Sequence, residues 1–334
     1  MSGKATRTPS LSGKPAVVRL PPGPGRIAAA ALGALTLLAA LAGKPAEGRA
    51  QSAQHGPLVL EMPASTRGLA LGGAFYMVGN DSDALFHNPA LIGGNGVVGA
   101  AMQRFGTASL LSTVSGAADW SSASVAVGVR MLSYGAADRG AAVLSHDAQS
   151  LFTSGSTASS EAAISVGYAR DVGGVRAGIT GKLVDQRLGG HHDATGAVDL
   201  GVTVGAGPAR LGLAVQNLGP GLTLGDIEVP LPVRVTAGGS TPAIPVGPLD
   251  LGWSAAVSRE ADGGVLPGAG MEVAYWPVRG RTFTARVGVR RAPEGFGHPV
   301  TFGGAFNGDR LAIDYAWQRY DGGEAAHRFG LSWR

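Results

Sequence analysis

The chain has 334 residues, of which 55 are Gly and 20 Pro, with no Cys, 15% charged residues and a formal net charge of +4. The lack of Cys excludes a disulfide framework and a lipoprotein anchor. An apolar content of 45% argues against a disordered linker, and glycine at more than twice its ordinary share of about 7%, without a triplet period, excludes collagen.

Residues 1–50 read as an export signal. Lys4, Arg7, Lys14, Arg19 and Arg26 have no acidic companion, and beyond them the charges nearly balance, so no nucleic-acid partner is expected. The apolar run from Ile27 to Leu41 spans about 15 residues, against the roughly 20 that a membrane-crossing helix needs. Small residues follow, ending in Gly48-Arg49-Ala50, which fits a cleavable signal peptide with cleavage after Ala50; an uncleaved anchor is the alternative.

Residues 51–95 form a second region. Its segment from Arg67 to Leu91, RGLALGGAFYMVGNDSDALFHNPAL, lacks the alternation found downstream. Asp81 or Ser82 can cap a short helix running toward His87. Asn88-Pro89 would end it, because the residue before proline avoids the α region. Gly72-Gly73 permits a close approach to another backbone.

From residue 96 to 334 the period is two. In Ser124 to Leu132, Val125, Val127, Val129 and Met131 project to one side and Ser124, Ala126, Gly128 and Arg130 to the other. Asp250–Ser258, Thr282–Arg290 and Arg310–Gln318 read alike. About fourteen strands are expected, near 96–105, 107–119, 122–134, 161–171, 175–187, 195–206, 208–217, 231–238, 248–259, 269–277, 281–291, 299–306, 309–320 and 326–334. Connections alternate between short and long, and Asn307-Gly308 is a hairpin signal.

Such alternation suits a soluble sandwich with its apolar face inward or an outer-membrane barrel with that face toward lipid. The barrel is favoured. Its polar face carries mid-strand charges at Arg130, Asp199, Arg234, Arg286 and Asp314, which a lumen tolerates and a sandwich core does not. Tyr134, Tyr168, Trp276, Trp317, Tyr320 and Trp333 fall near strand ends, where an interfacial girdle would sit. The fold class expected is therefore all-β: a transmembrane outer-membrane barrel of about fourteen antiparallel strands, with an N-terminal luminal plug.

Chemical motifs are sparse. His191-His192-Asp193 falls on an expected external loop, its adjacent histidines pointing apart, and lacks further ligands at metal-site spacing, so no metal or cofactor is expected. There is no G-x-S-x-G and no H-E-x-x-H, and no enzyme is expected. The luminal charges Arg130, Arg176, Lys182, Arg234, Arg286, Arg290 and Arg328, with Asp199, Asp250, Glu272 and Asp314, could set a pore's selectivity or form a paired network that fills the lumen.

Gly72-Gly73-Ala74, then Asp81-Ser82-Asp83-Ala84, then Asn88-Pro89-Ala90-Leu91 resemble the N-terminal signature of the PorV/PorQ family and its wider FadL-like relatives. The resemblance implies a fourteen-stranded outer-membrane barrel whose N-terminal segment, here Gly72, Gly73, Ala74, Asp81, Asp83, Asn88, Pro89 and Ala90, occupies the lumen as a hatch or as filling. Such proteins commonly end in an aromatic residue, whereas Trp333 is penultimate here. Two functions follow by resemblance. One is a structural or interaction role in type IX-like protein secretion; the other is hatch-gated passage of small, hydrophobic solutes. The partners implied are outer-membrane lipid, the barrel-assembly machinery during insertion, and exported proteins or small solutes. The luminal face read from the strands is Gly, Ser, Thr and charge, which places the secretion role ahead.

Overall fold

A computed structural model describes residues 56–74, 82–94, 96–105, 109–134, 159–188, 190–261, 263–291, 297–320 and 325–334. All lie within the compact unit Arg49–Arg334. The export signal expected over 1–50 and the motif residue Asp81 fall outside the described residues.

The strands are β1 (Val97–Phe105), β2 (Ser109–Trp120), β3 (Ala123–Ser133), β4 (Ser160–Val172), β5 (Val175–Leu188), β6 (His191–Ala206), β7 (Ala209–Leu218), β8 (Leu222–Leu224), β9 (Ile227–Val229), β10 (Arg234–Ser240), β11 (Ile244–Val246), β12 (Leu249–Glu260), β13 (Val265–Val278), β14 (Arg281–Arg290), β15 (Val300–Asn307), β16 (Leu311–Arg319) and β17 (Ala325–Trp333). Each pairs antiparallel with its neighbours. β1 bonds to both β2 and β17, and β10 to both β7 and β12, so the sheet closes into a barrel of fourteen strands. β11 continues β10 along β12 after a one-residue shift of register. Closure satisfies the backbone within the wall and leaves no edge, a requirement for any sheet in hydrocarbon. Among the described residues no helix is long and apolar enough to cross a membrane, which says nothing of a barrel.

The alternation read from the sequence sets the facing of the wall. Val127 and Val129 are 59% and 37% exposed, while Arg130 beside them is 3% exposed. Ile164, Val166, Leu183, Trp253, Phe283 and Phe329 also face outward. Apolar side chains outside and buried polar ones inside are the inverse of a soluble sandwich and the signature of a barrel in lipid.

All fourteen expected strands are present, with differences at their ends. β6 begins at His191 rather than near 195, because Leu188 pairs with His191 and the ladder continues across a tight connection. His191, His192 and Asp193 therefore belong to a strand and not to a loop. β13 begins at Val265 rather than near 269. The hairpin of β8 and β9 was not expected, being too short to show a period.

Gly173 and Gly174, at φ 61° and 89°, supply the paired left-handed conformation of a two-residue hairpin between β4 and β5. A hairpin also forms at Asn307-Gly308, but Asn307 still pairs with Ala312 and Gly308 N–H donates to Leu311 O at 2.8 Å, so the connection is longer than two residues.

The expected girdle is partly corrected. Tyr168 and Trp333 face outward, and Trp317 stacks on Phe302 at 5.9 Å on the outer face. Tyr134 and Tyr320 instead follow the inward parity of Leu132 and Gln318. Tyr134 donates its hydroxyl to Glu161 at 2.9 Å, and Tyr320 lines a luminal cavity. Trp276 lies exposed at the rim, its indole N–H donating to Asp250 at 2.6 Å.

Candidate functional site

The lumen is filled by the segment that precedes β1. It comprises two short helices, α1 (Leu58–Glu61) and α2 (Thr66–Ala70), and two 3-10 turns, Ser82–Phe86 and Pro89–Leu91. Ser65 caps α2 by accepting from Gly68 N–H at 3.1 Å. Gly72, at φ 70°, ends it: Gly73 N–H returns to Gly68 O at 2.8 Å and Gly72 N–H to Leu69 O at 3.2 Å, the paired bonds of a Schellman stop. Asn88 accepts from Ala90 N–H at 3.0 Å and so caps the turn that begins with Pro89. The helix expected toward His87 is a 3-10 turn, and Ser82 does not cap it. Its hydroxyl accepts from Ser115 of the wall at 2.8 Å instead.

Side chains of the wall hold this plug by its backbone. Arg328, fully buried, donates to Ala64 O at 2.6 Å and Thr66 Oγ1 at 3.1 Å. Arg130 donates to Met62 O at 2.7 Å and lies 5.7 Å from the ring centre of Phe86. Arg176 reaches Ala90 O at 3.0 Å and Ile92 O at 2.5 Å. Gln216 donates to Phe86 O at 2.9 Å and Thr180 to Leu85 O at 3.2 Å. Glu161, buried, accepts from Val59 N–H at 2.7 Å. A short plug with few internal bonds leaves many carbonyls unmet, and arginine, which only donates, suits that task.

Wall glycines make room for the plug. A Cβ on Gly288 would collide with the backbone at Leu71 and Gly72, one on Gly178 with the Pro89 carbonyl, and one on Gly201 with the Asn88 side chain. Gly72 itself lies so close to Val289 of β14 that a side chain there would strike the wall. Part of the glycine excess is thus explained: it lines the seats against which the plug backbone packs.

The expected luminal charges are buried or half-buried, and they fall into separate groups. Arg286 donates to Glu272 at 3.3 Å and to Asp314 at 2.5 Å. Glu272 also accepts from Arg67 of the plug at 2.6 and 3.1 Å. Asp199 pairs with Lys182 at 2.6 Å and accepts from Asn217 N–H at 2.8 Å, at the register shift between β6 and β7. Arg234 pairs with Glu260 at 2.5 Å. Arg176, expected among the luminal charges, does face the plug, whereas Arg67 and Glu161 were missed as site residues. The inward parity of Glu161 in β4 was a usable signal, whereas nothing in the sequence pairs Arg67 with Glu272, 205 positions away. His192 meets Asp185 at 2.5 Å on the exposed end of β6. No group of metal-binding side chains occurs among the described residues.

Two cavities flank the plug. The larger, about 400 Å³, lies toward the end of the barrel that carries β8 and β9. Its apolar surface comes mostly from the plug and an inturned loop, including Leu58, Leu60, Met62, Phe86 and Leu231, with Leu266 contributed by β13. The smaller, about 120 Å³, lies at the end where β1 starts and β17 stops, and is lined by Asp83, Arg286 and Asp314. Ala64, Ser65 and Arg67 line both cavities. The motif residues Gly72, Gly73 and Ala74 border the larger one, while Asn88, Pro89 and Ala90 are buried against β5 and β6.

A closed fourteen-stranded barrel, apolar outside and plugged within, defines a transmembrane barrel of the outer-membrane class. Among solved structures the chain is similar to the Pseudomonas putida toluene transporter TodX, at 13% identity over 80% of this chain and 96% of that one, with a TM-score of 0.50. It is similar also to the monoaromatic hydrocarbon channel CymD, at 10% identity over 81% of this chain and 97% of that one, with a TM-score of 0.52. A Pseudomonas aeruginosa FadL homologue matches at 12% identity over 81% of this chain and 98% of that one, with a TM-score of 0.49. At such identities the likeness to TodX and CymD is one of fold. No protein-family model matches the chain, and no curated protein matches it.

Proposed function

We propose that this protein is an outer-membrane channel for small solutes, gated by its luminal plug. The observation that carries the reading is the pair of cavities on opposite sides of Ala64–Arg67. A modest movement of that stretch would join them into a path along the barrel. The sequence alone weighed against an apolar path because only the wall was legible, and the wall is polar. Most of the apolar surface of the larger cavity comes from the plug helices, the 3-10 turns and the loops, which carry no strand period.

Two barrels with this fold conduct toluene or monoaromatic hydrocarbons, which supports the channel reading over the secretion role. The test is uptake by proteoliposomes of solutes graded by size and apolarity, using the chain from Gln51 refolded in detergent and shown to migrate faster unboiled than boiled. Uptake above protein-free vesicles supports the reading; a folded barrel that admits none of the solutes contradicts it.

A further inference from the structure

The larger cavity is more cationic than a path for neutral hydrocarbons requires. Arg130, Arg234, Arg290 and Arg291 line it from β3, β10, β14 and the residue after β14, so they converge from different sides of the barrel. Glu61 and Glu260 are the acidic residues in the same lining, leaving two guanidinium charges in excess. Arg67 also lines it but is matched by Glu272.

The hydrogen-bond accounting agrees. The Nε atoms of Arg130, Arg234 and Arg290 are buried and have no partner among the described residues. Arg234 spends one Nη on Glu260 and Arg130 one on Met62 O. Arg290 makes no side-chain hydrogen bond or ion pair to a described residue, although its backbone N–H is bonded to Pro299 O at 2.8 Å. Unmet guanidinium donors in a buried site call for an oxyanion, and a fork of N–H groups matches a phosphate or carboxylate edge.

We infer that the larger cavity binds a small amphipathic dianion, a phosphate-type head on an apolar body. The head would pair with the guanidinium groups of Arg130, Arg234 and Arg290, which line the cavity. The body would lie against Leu58, Leu60, Met62 and Phe86. Two excess charges select a dianion over a monocarboxylate, and the apolar lining selects against inorganic phosphate. The inference names a substrate class for the solute path proposed above and rests on that reading for its physiological sense. Binding itself can be measured without transport.

The experiment is isothermal titration calorimetry of the full mature chain in nonionic detergent at pH 8 and low salt, with phenyl phosphate, benzoate, phenol and inorganic phosphate as probes. Phenyl phosphate is expected to bind at least tenfold more tightly than each of the others. Arg290→Gln, which breaks no side-chain hydrogen bond to a described residue, is expected to weaken it by tenfold or more while leaving heat-modifiability intact. Benzoate binding as tightly as phenyl phosphate, no binding of phenyl phosphate, or an unchanged affinity in Arg290→Gln would each overturn the inference. Vesicle uptake of neutral solutes without phenyl phosphate binding would sink this inference and leave the channel standing. Binding without any uptake would do the reverse.

Discussion

Arg67 of the plug and Glu272 of β13 face each other as a two-bonded ion pair at 2.6 and 3.1 Å, and Arg286 joins the same carboxylate and carries the chain on to Asp314. This is the charged fastening between the plug and the wall at the stretch that separates the two cavities. A pair so placed holds by geometry, and loss of one member leaves the other charge buried.

Arg67→Glu should loosen the plug, because it sets two carboxylates against each other where one was matched. Single-channel recordings in planar bilayers should show more frequent and larger openings than the parent barrel. Glu272→Arg alone should do the same, and the double reversal should restore the quiet state, as expected of a coupled pair. Additive effects in the double variant would remove the pair from the gating account.

Gly288→Val should displace the plug and spare the wall. The added side chain meets the backbone of Leu71 and Gly72, while the outer face of β14 is untouched. The expected outcome is a barrel that still migrates fast when unboiled but is now cut by trypsin after Arg67. Full protection of Arg67 in a folded Gly288→Val barrel would show that the seat tolerates the side chain.

Lys182→Met should destabilise the wall. It strands Asp199, which is fully buried, and removes a donor to Asn217 at 2.8 Å. Losing one partner of a buried pair costs about 3–5 kcal/mol, to be read from urea unfolding in lipid vesicles. Lys182→Met with Asp199→Leu should recover part of that loss. Equal stability of the parent and the single variant would contradict the role given to the pair.

Val127→Arg should cost about 2–4 kcal/mol in vesicles, the range for a cation at the lipid-facing midplane of a barrel. Val127 is 59% exposed on the outer face of β3. The same unfolding assay checks it, and an unaffected midpoint would argue against lipid contact at this position.

Strand number and facing were legible because a two-residue period is local: Val127 out and Arg130 in can be read from nine consecutive residues. The luminal organisation was legible only in part. Gly72-Gly73 announces a close approach, which occurs at Gly72 but not at Gly73, and Asn88-Pro89 announces a turn, which forms. Their seats, Gly288 and Gly201, lie on distant strands with no mark to distinguish them from other glycines. Tyr134 and Tyr320 were placed in the girdle by position near strand ends, although parity with Leu132 and Gln318 sends them inward. The His191-His192-Asp193 stretch looked like a loop because its composition is polar, but the ladder from Leu188 to His191 carries the strand through it.

The most direct test of the central claim fixes the plug in place. The chain has no Cys, so Ser82→Cys with Ser115→Cys introduces a single pair at positions whose hydroxyl oxygens are 2.8 Å apart. Solute uptake by proteoliposomes should fall to the protein-free level when the disulfide is formed, verified by gel mobility, and return on adding reductant. Equal uptake in the oxidised and reduced states would contradict gating by the plug.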